Sequence, residues 1–565
     1  MSSIIVNIVP GSEVPSSTVH VHSTLIQTSD VHVIIEESKA LTKKSLLIFD
    51  IGNVLLNPRD AALHRSHKPW MKEWIKTHAP HEVWDELEPL IYRDAKQHIV
   101  DPALIGLIED RKNTTNVLAL SLYWVGPSLL PNCTHEEQWL NHLKEAGIEF
   151  GEPFPNAAGW ARSDLKATYA NGLIATDIDS ELKGPVFEAF LEQMPFKPDR
   201  IVFVDDRLDQ CTSMLEAARK NGIPALVIHY TKGNECAPQI DEQIAEVQFG
   251  MLVNKKVWLS DEQAKDVVAK KSELAAEGMT VEELHRTDMK KLYETCKQLS
   301  DAYIVKPFVD TSEAWKKDKN FFIEQTLWTY PFDDSRTARE ITNFYLNASN
   351  LVIEGQRYIA SQAPLTSTYK DFWKATLHEG SPTIVMLNMP EDDTDPPVPI
   401  EYWKQTCEVD DWSITCTNTQ ELMKEISSAI VRREFTAKNS QTAEVRTIVQ
   451  FHYQKWPDFQ AAPSNALFDS LLAHVEEAHP WPERPLTVHC AAGMGRSGIV
   501  IAAHALRRKI RGELAHTKPE QIKVNLVKTI FEMRQRRKNM VSKEGVACIA
   551  ANVQNFVQRQ SRASQ

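Results

Sequence analysis

The sequence has no run of about 18 apolar residues, which excludes an ordinary membrane-spanning helix. Its opening, MSSIIVNIVPGSEV, lacks the positive n-region and long apolar core of a signal peptide, so no leader is expected. The eight cysteines (Cys133, Cys211, Cys236, Cys296, Cys407, Cys416, Cys490, Cys548) form no CxxC pair, which excludes zinc-ribbon and thioredoxin-type sites. Scattered, unpaired cysteine fits a reducing compartment, and a cytoplasmic location is expected. No internal repeat or low-complexity tract is present. What is there is ordinary for a folded protein: 42% hydrophobic and 25% charged residues. A chain of 565 residues is too long for one core and predicts two or three domains.

The net charge of −13 is not spread evenly. Residues 1–300 hold 31 of the 63 basic and 44 of the 76 acidic residues, so the whole excess lies there. The remainder is neutral but split, with 14 basic against 4 acidic residues in 501–565. This asymmetry points to two units of different character.

Residues 1–45 alternate polar and apolar residues at Thr18–His22 and Val31–Ile35, as half-buried strands do. His20 and His22 then share a strand face, which reads as a solvated face or loose arm ahead of a metal site. From 46 to 260 the pattern is α/β. Apolar runs at Leu46–Phe49, Val117–Leu120, Ile201–Val204 and Ala225–Ile228 alternate with helical stretches at Gly184–Met194 and Gln210–Asn221. That alternation implies a Rossmann-like parallel sheet, with Pro58–Asp110 as a helical insertion. Residues 261–300 are charged and helix-favouring and read as a helical linker. Residues 301–565 form a second α/β unit, with an exposed acidic loop at DDTDPPVP (392–399).

The segment PLTVHCAAGMGRSGIV (485–500) carries the clearest chemistry. A short strand runs into Cys490, a loop with two glycines follows, and Arg496-Ser497-Gly498 opens an apolar helix. Cys-x5-Arg alone is a weak signal; with the strand, glycines and helix it becomes strong. Backbone N–H groups of Ala491, Ala492, Gly493, Met494 and Gly495 would form an anion cradle, reinforced by the helix N-terminus. Arg496 offers a two-pronged guanidinium to phosphate oxygens. That positive field favours the Cys490 thiolate, a nucleophile for phosphoryl transfer. A leaving-group acid is also needed, and Asp458 in YQKWPDF (453–459) lies on a Trp-Pro loop suited to close over the pocket.

At this point residues 301–565 resemble the protein tyrosine phosphatase family. The matching pieces are PFDDSR (331–336), YLNAS (345–349), YIASQAPL (358–365), DFW (371–373), EYW (401–403), WPD (456–458) and HCAAGMGRSG (489–498), in the family's order. The resemblance implies a twisted sheet flanked by helices and metal-free hydrolysis of phosphotyrosine. Cys490 is then the nucleophile, Arg496 the phosphate binder, Asp458 the general acid, and Ser497 a hydrogen-bond donor to Cys490. Two departures stand out. The family's substrate-stacking Tyr has no match, leaving Trp328 or Phe322 as substitutes. The two Gln that position the hydrolytic water are replaced by Ser542 and Val546, which implies phosphoenzyme breakdown that is slower or differently assisted.

The uncharged loop residues favour phosphotyrosine over polyphosphorylated lipids, which call for added positive charge. A phosphoinositide or small-molecule phosphatase, or a substrate-trapping phosphotyrosine-binding protein, are the alternatives. The basic stretches Arg507–Arg511 and Arg534–Lys538 read as solvated helix faces, with contact to an anionic surface open. Without interleaved aromatics they do not read as a nucleic-acid site.

In the first unit, SLLIFDIGNVLL (45–56) ends a buried strand at Asp50, where open α/β sheets place ligands. Ser121, Lys183 and the pair Asp205-Asp206 follow strand ends or flank helices, and neighbouring carboxylates bind Mg2+. Together these residues resemble the haloacid dehalogenase superfamily over 46–260, in an uncharacterised bacterial branch. The resemblance implies Asp50 as nucleophile, Ser121 and Lys183 as phosphate partners, and Mg2+ held by Asp50, Asp205 and Asp206. Gly52 stands where the family has its general acid/base, so a metal-binding unit of weak or no activity is expected ahead of a competent phosphatase. A tyrosine phosphatase beside a bacterial-type unit suggests a bacterial effector delivered into host cytosol.

Overall fold

The computed structural model describes residues 4–5, 23–79, 82–177, 182–235, 238–306, 332–338, 340–341, 344–388, 401–404, 406–422, 429–457, 460–462 and 465–563. The chain divides into two compact units, residues 1–265 and 266–565.

The first unit is built on a mixed sheet whose core is parallel. Its labelled strands are β1 (Thr24–Thr28), β2 (Leu46–Phe49), β3 (Asn116–Leu122), β4 (Leu173–Thr176), β5 (Ile201–Asp205) and β6 (Ala225–Tyr230). They lie in the order β1-β6-β5-β2-β3-β4, every neighbouring pair parallel. Antiparallel pieces complete the edges, Ile4–Ile5 on one side and Ala167–Ala170 with Ala161–Arg162 on the other. The apolar runs are continuous because both faces are covered. Leu47 and Phe49 join one buried cluster with Val202 and Val204, while Leu46 and Ile48 join a second with Ile201 and Phe203. Asp50 and Asp205 thereby emerge side by side at the carboxyl ends of β2 and β5. The insertion after β2 is helical over Lys68–His78, over α1 (Trp84–Asp94) and over Ala103–Arg111.

Two boundaries differ from the sequence expectation. Residues 1–45 are not a separate extension, because β1 pairs with β6 inside the sheet. Val31–Ile35 is also helical, within Val31–Ser38. Asp30 starts that helix by accepting the His32 N–H at 2.9 Å, a cap that outweighs the alternating pattern. His20 and His22 lie outside the described residues.

The stretch 261–300 is not a free linker either. The boundary falls within the helix Asp261–Ala275. Helix α3 (Met289–Tyr303) places Leu292, Cys296 and Leu299 in the second unit's core, so its apolar stripe was hidden beneath a high charge density.

In the second unit, β7 (Ala348–Ile353), β8 (Gln356–Gln362), β9 (Thr383–Met386), β10 (Ile430–Asn439), β11 (Val445–Tyr453) and β12 (Leu486–Cys490) lie in the order β7-β8-β12-β9-β11-β10. Trp412–Leu422 and Cys407–Val409 extend the sheet beyond β10. The four central strands, β8, β12, β9 and β11, run parallel. The fold class is α/β in both units, as expected. The acidic loop 392–399 lies outside the described residues.

Candidate functional site

Cys490 is the last residue of β12, flanked by β8 and β9 on either side, with Gln362 opposite it in register. The loop after it leads into α4 (Gly495–Glu513). Three of its carbonyls are held from outside. Ala491 O accepts the Ala363 N–H at 3.1 Å, Met494 O accepts the Gly498 and Val541 N–H groups at 2.9 and 3.4 Å, and Ala492 O accepts Arg537 Nη2 at 2.8 Å. In a trans peptide the N–H points opposite to the carbonyl. Tying these oxygens outward turns the N–H groups of Ala492, Gly493 and Gly495 to the other side of the loop, as an anion cradle requires.

Gly493 cannot be replaced without disruption. Its φ is +68°, and a Cβ there would sit 2.4 Å from Ser361 O. Arg496 is buried, and its Nη1 donates to Leu387 O at 3.0 Å and Trp456 O at 2.8 Å. Trp456 is itself buried against Phe468 and Tyr453, so the Trp-Pro turn is bound to Arg496. The Ser497 hydroxyl is buried with no hydrogen-bond partner among the described residues. Asp458 lies outside the described residues, as do Trp328 and Phe322.

Behind the loop, His489 is enclosed by Tyr402 and Asn388, and burial pushes its imidazole down to about 3, with His452 and Arg496 adding to the effect. Arg537 is fully buried and also reaches Asn347 Oδ1 at 2.7 Å; desolvation pulls it down to about 10. Tyr402 lies in the EYW segment and Arg537 in a stretch expected to be solvated, but neither was given a role at the cysteine loop, because the packing that joins them to it is not visible in the sequence. The segment 540–546 was singled out, and its departure is real: Val546 is buried in the core, and Ser542 Oγ accepts the Gly545 N–H at 3.2 Å.

The expectation of solvated basic faces is corrected in part. Arg507 pairs internally with Asp469 at 3.2 Å and Glu476 at 2.8 Å. Arg534 donates to Met540 O and Val541 O, and Arg537 supports the loop. These three cations are buried because each is paired or hydrogen-bonded, and they are not part of an outward-facing patch.

The first unit brings its candidate residues together. One carboxylate oxygen from each of Asp50, Asp205 and Asp206 lies within 4.8 Å of the others. Lys183 opens α2 (Lys183–Leu191) and bridges Asp50 Oδ1 at 2.7 Å and Asp205 Oδ2 at 2.6 Å. Burial works against its charge, but the two carboxylates outweigh this and hold the ammonium above its ordinary value. Burial raises Asp205, with Lys183 opposing and Asp50 and Asp206 adding to the rise. Asp206 accepts from Arg65, from Asn234 Nδ2 at 3.0 Å and from Asn53 Nδ2 at 3.3 Å. Three oxygen donors this close fit a hard divalent cation such as Mg2+. Asp50, Ser121, Lys183 and Asp206 line a cavity of about 360 Å³, whose other wall includes the insertion residues Glu88 and Tyr92. Glu88 and Arg65 carried no sequence signal, since nothing in the insertion's pattern shows which polar residues face inward.

Comparison with known proteins agrees with the second unit's geometry. Residues 324–550 match the family model for protein-tyrosine phosphatase. Residues 26–265 match a family described only as a protein of unknown function, DUF2608. Tyrosine-protein phosphatase 2 of Dictyostelium discoideum is 33% identical over 197 residues, 35% of this chain and 50% of that protein. Mouse tyrosine-protein phosphatase non-receptor type 2 is 35% identical over 173 residues, 30% of this chain and 42% of that protein. Human receptor-type tyrosine-protein phosphatase eta is 31% identical over 223 residues, 38% of this chain and 16% of that protein. A solved structure describing PTPN18 and HER2 tyrosine phosphorylation sites aligns at a TM-score of 0.42 and 20% identity, covering 49% of this chain and 98% of that one. The chain spans half or less of the length of each of these three curated relatives. The C-terminal unit carries a protein-tyrosine phosphatase domain.

Proposed function

We propose that the second unit hydrolyses phosphotyrosine in proteins through a cysteinyl-phosphate. The observation that carries this reading is the loop between Cys490 and Arg496, with its carbonyls held outward and its arginine anchored to Leu387 O and to Trp456 O of the Trp-Pro turn. The Cys490 sulfur attacks phosphorus while Arg496 and the loop N–H groups hold the equatorial oxygens. Asp458 gives its proton to the departing tyrosyl oxygen, then takes one from the water that attacks the phosphoenzyme. Ser497 donates its hydroxyl to the sulfur as Cys490 leaves. Cys490→Ser should abolish metal-independent turnover of phosphotyrosine peptides while preserving their capture; turnover retained in that variant sinks the assignment. The neutral side chains of Ala491, Ala492 and Met494 favour phosphotyrosine over lipid headgroups, and a panel containing both decides between them. Val546 in the core favours one further reading, a slow phosphoenzyme that traps substrate; a burst followed by negligible steady turnover is its signature.

For the first unit we infer a haloacid dehalogenase-like site in which Asp50 is the nucleophile. Asp50, Asp205 and Asp206 would hold Mg2+, which neutralises phosphate charge when bound. Ser121 and Lys183, which line the same cavity as Asp50, would receive phosphate, and Gly52 would leave proton supply as the limiting element. Mg2+-dependent hydrolysis lost in Asp50→Asn but retained in Cys490→Ser tests this. The cysteines among the described residues are all free, which supports a cytosolic setting. A bacterial protein delivered into a host cell would meet phosphotyrosine there; detection confined to the bacterium during infection counts against that route.

A further inference from the structure

We propose that Glu88 supplies the proton missing at Gly52, and that the first unit's cavity takes a phosphomonoester of an apolar alcohol. The proposal rests on the reading of Asp50 as a nucleophile.

Three observations carry it. First, the space on the side-chain side of Gly52 is open for 4 Å, so the wall that would hold an acid is bare. Second, the carboxylates among the described cavity-lining residues are Asp50, Asp206 and Glu88. Asp50 and Asp206 belong to the cation cluster, which leaves Glu88. Glu88 is 6% exposed, and its oxygens accept Lys68 Nζ and Trp84 Nε1, each at 2.7 Å. These two donors fix the carboxyl group and favour its ionised form, so the proton it gives is one that arrives with a monoanionic phosphomonoester. Third, the insertion side of the cavity carries an apolar stretch, Leu56, Met71, Ile91 and Trp139, beside the polar Arg65, Lys68 and Gln97. Trp139 Nε1 is buried with no partner among the described residues. The phenols of Tyr92 and Tyr123 are poor alternatives as acids, because burial holds both above the ordinary tyrosine range.

In the proposed step an Asp50 oxygen bonds to phosphorus and the ester P–O bond breaks. The proton of the Glu88 carboxyl passes to the departing alkoxide. In the second half the Glu88 carboxylate takes a proton from water as that water displaces Asp50 from the acyl phosphate. Phosphate and alcohol leave, and Glu88 is protonated again.

The test uses the full chain carrying Cys490→Ser, with Mg2+, and two substrates. 4-Nitrophenyl phosphate has a leaving group that departs without a proton; 2-phenylethyl phosphate does not. Glu88→Gln should lower turnover of the alkyl ester at least 100-fold but that of the nitrophenyl ester less than tenfold. Adding Gly52→Asp to Glu88→Gln should restore the alkyl ester at least tenfold. Equal loss on both esters, or no loss on the alkyl ester, overturns the role of Glu88 alone. Absence of any Asp50-dependent turnover of 4-nitrophenyl phosphate overturns the reading beneath it, and the proposal with it. Should Glu88→Gln fail to fold, substituted phenyl phosphates decide the matter on unaltered Glu88. A rate nearly independent of leaving-group basicity supports the proposal, and a steep fall overturns it.

Discussion

Tyr402 Oη lies 2.8 Å from His489 Nε2, one residue before Cys490. The direction of that bond follows from its neighbours. Arg433 Nη1 can only donate, so the Gln450 Oε1 it meets at 2.7 Å is the acceptor. Gln450 Nε2 then donates to Tyr402 Oη at 2.6 Å, which leaves the phenol hydrogen for His489 Nε2. His489 Nδ1 therefore carries the ring proton and donates to Asn388 Oδ1 at 3.1 Å. The same logic makes His452 neutral: Nδ1 accepts from Arg433 at 3.3 Å, and Nε2–H donates to Asn388 O at 2.8 Å. The floor of the phosphate loop is thus a neutral, directionally ordered network.

Stability of the second unit should fall on acidification. Burial lowers His489 to about 3 and His452 and His479 to about 4, from an ordinary 6.5, and lowers His504 as well. Below 6.5 the unfolded chain takes up protons that the folded unit refuses, so the stability is full above that value and lost as pH falls toward 4. Each histidine contributes a slope of up to about 1.4 kcal/mol per pH unit. Urea midpoints at pH 7.5, 6 and 5 should descend in that order, and His479→Gln should flatten the slope. A pH-independent midpoint contradicts the network.

Gly493→Ala should cost activity far more than burial alone suggests. A Cβ 2.4 Å from Ser361 O, at φ +68°, forces the loop off strand β8. Misplacing the cradle by about 1 Å is worth roughly 100-fold in kcat/KM. Gly355→Ala, at a similar φ of +74° but with open space around it, should leave kcat/KM within about threefold. Similar kinetics for the two variants would remove the steric argument.

The two units were legible to different depths. Strands β2, β5 and β12 announced themselves because burial on both faces makes continuous apolar runs; Asp50 directly follows β2, and Asp205 and Cys490 end β5 and β12. Thr24–Thr28 was hidden because it is short and only partly buried, and its place was fixed by pairing with a strand some 200 residues away. Val31–Ser38 looked like a strand until the Asp30 cap is considered. Arg507, Arg534 and Arg537 read as surface charge because sequence does not show that Asp469, Glu476 and loop carbonyls meet them inside. Arg65 and Glu88 were invisible for the same reason: the insertion's inward face is chosen by tertiary packing.

Arg537→Met should damage the phosphatase without touching its substrate. The guanidinium ties Ala492 O at 2.8 Å and Asn347 Oδ1 at 2.7 Å, and both would be left unpaired. A loss of about 3 kcal/mol in unfolding free energy is expected from two charge-assisted bonds. The same change frees one of the three held carbonyls of the loop, so kcat should fall more than KM rises. Arg537→Lys keeps the charge but not the fork, and should fall between the two. Wild-type kcat in Arg537→Met would show that the loop stands without this support.

Arg65 and a divalent cation cannot share Asp206 without competition. The guanidinium pairs with Asp206 Oδ2, and that carboxylate also contributes to the cluster with Asp50 and Asp205. Arg65 is partly exposed whereas Asp206 is buried, so the side that yields is the arginine. Removing it deepens the negative field around three carboxylates that Lys183, with Arg207 nearby, would then offset. Arg65→Ala should therefore tighten Mg2+ about tenfold, equivalent to ~1.4 kcal/mol. Asp206→Asn should abolish binding, since it removes an anionic oxygen ligand. Isothermal titration of the full chain with Mg2+ measures both. Weaker binding in Arg65→Ala would mean that the arginine holds Asp206 in its ligating position and does not compete for it.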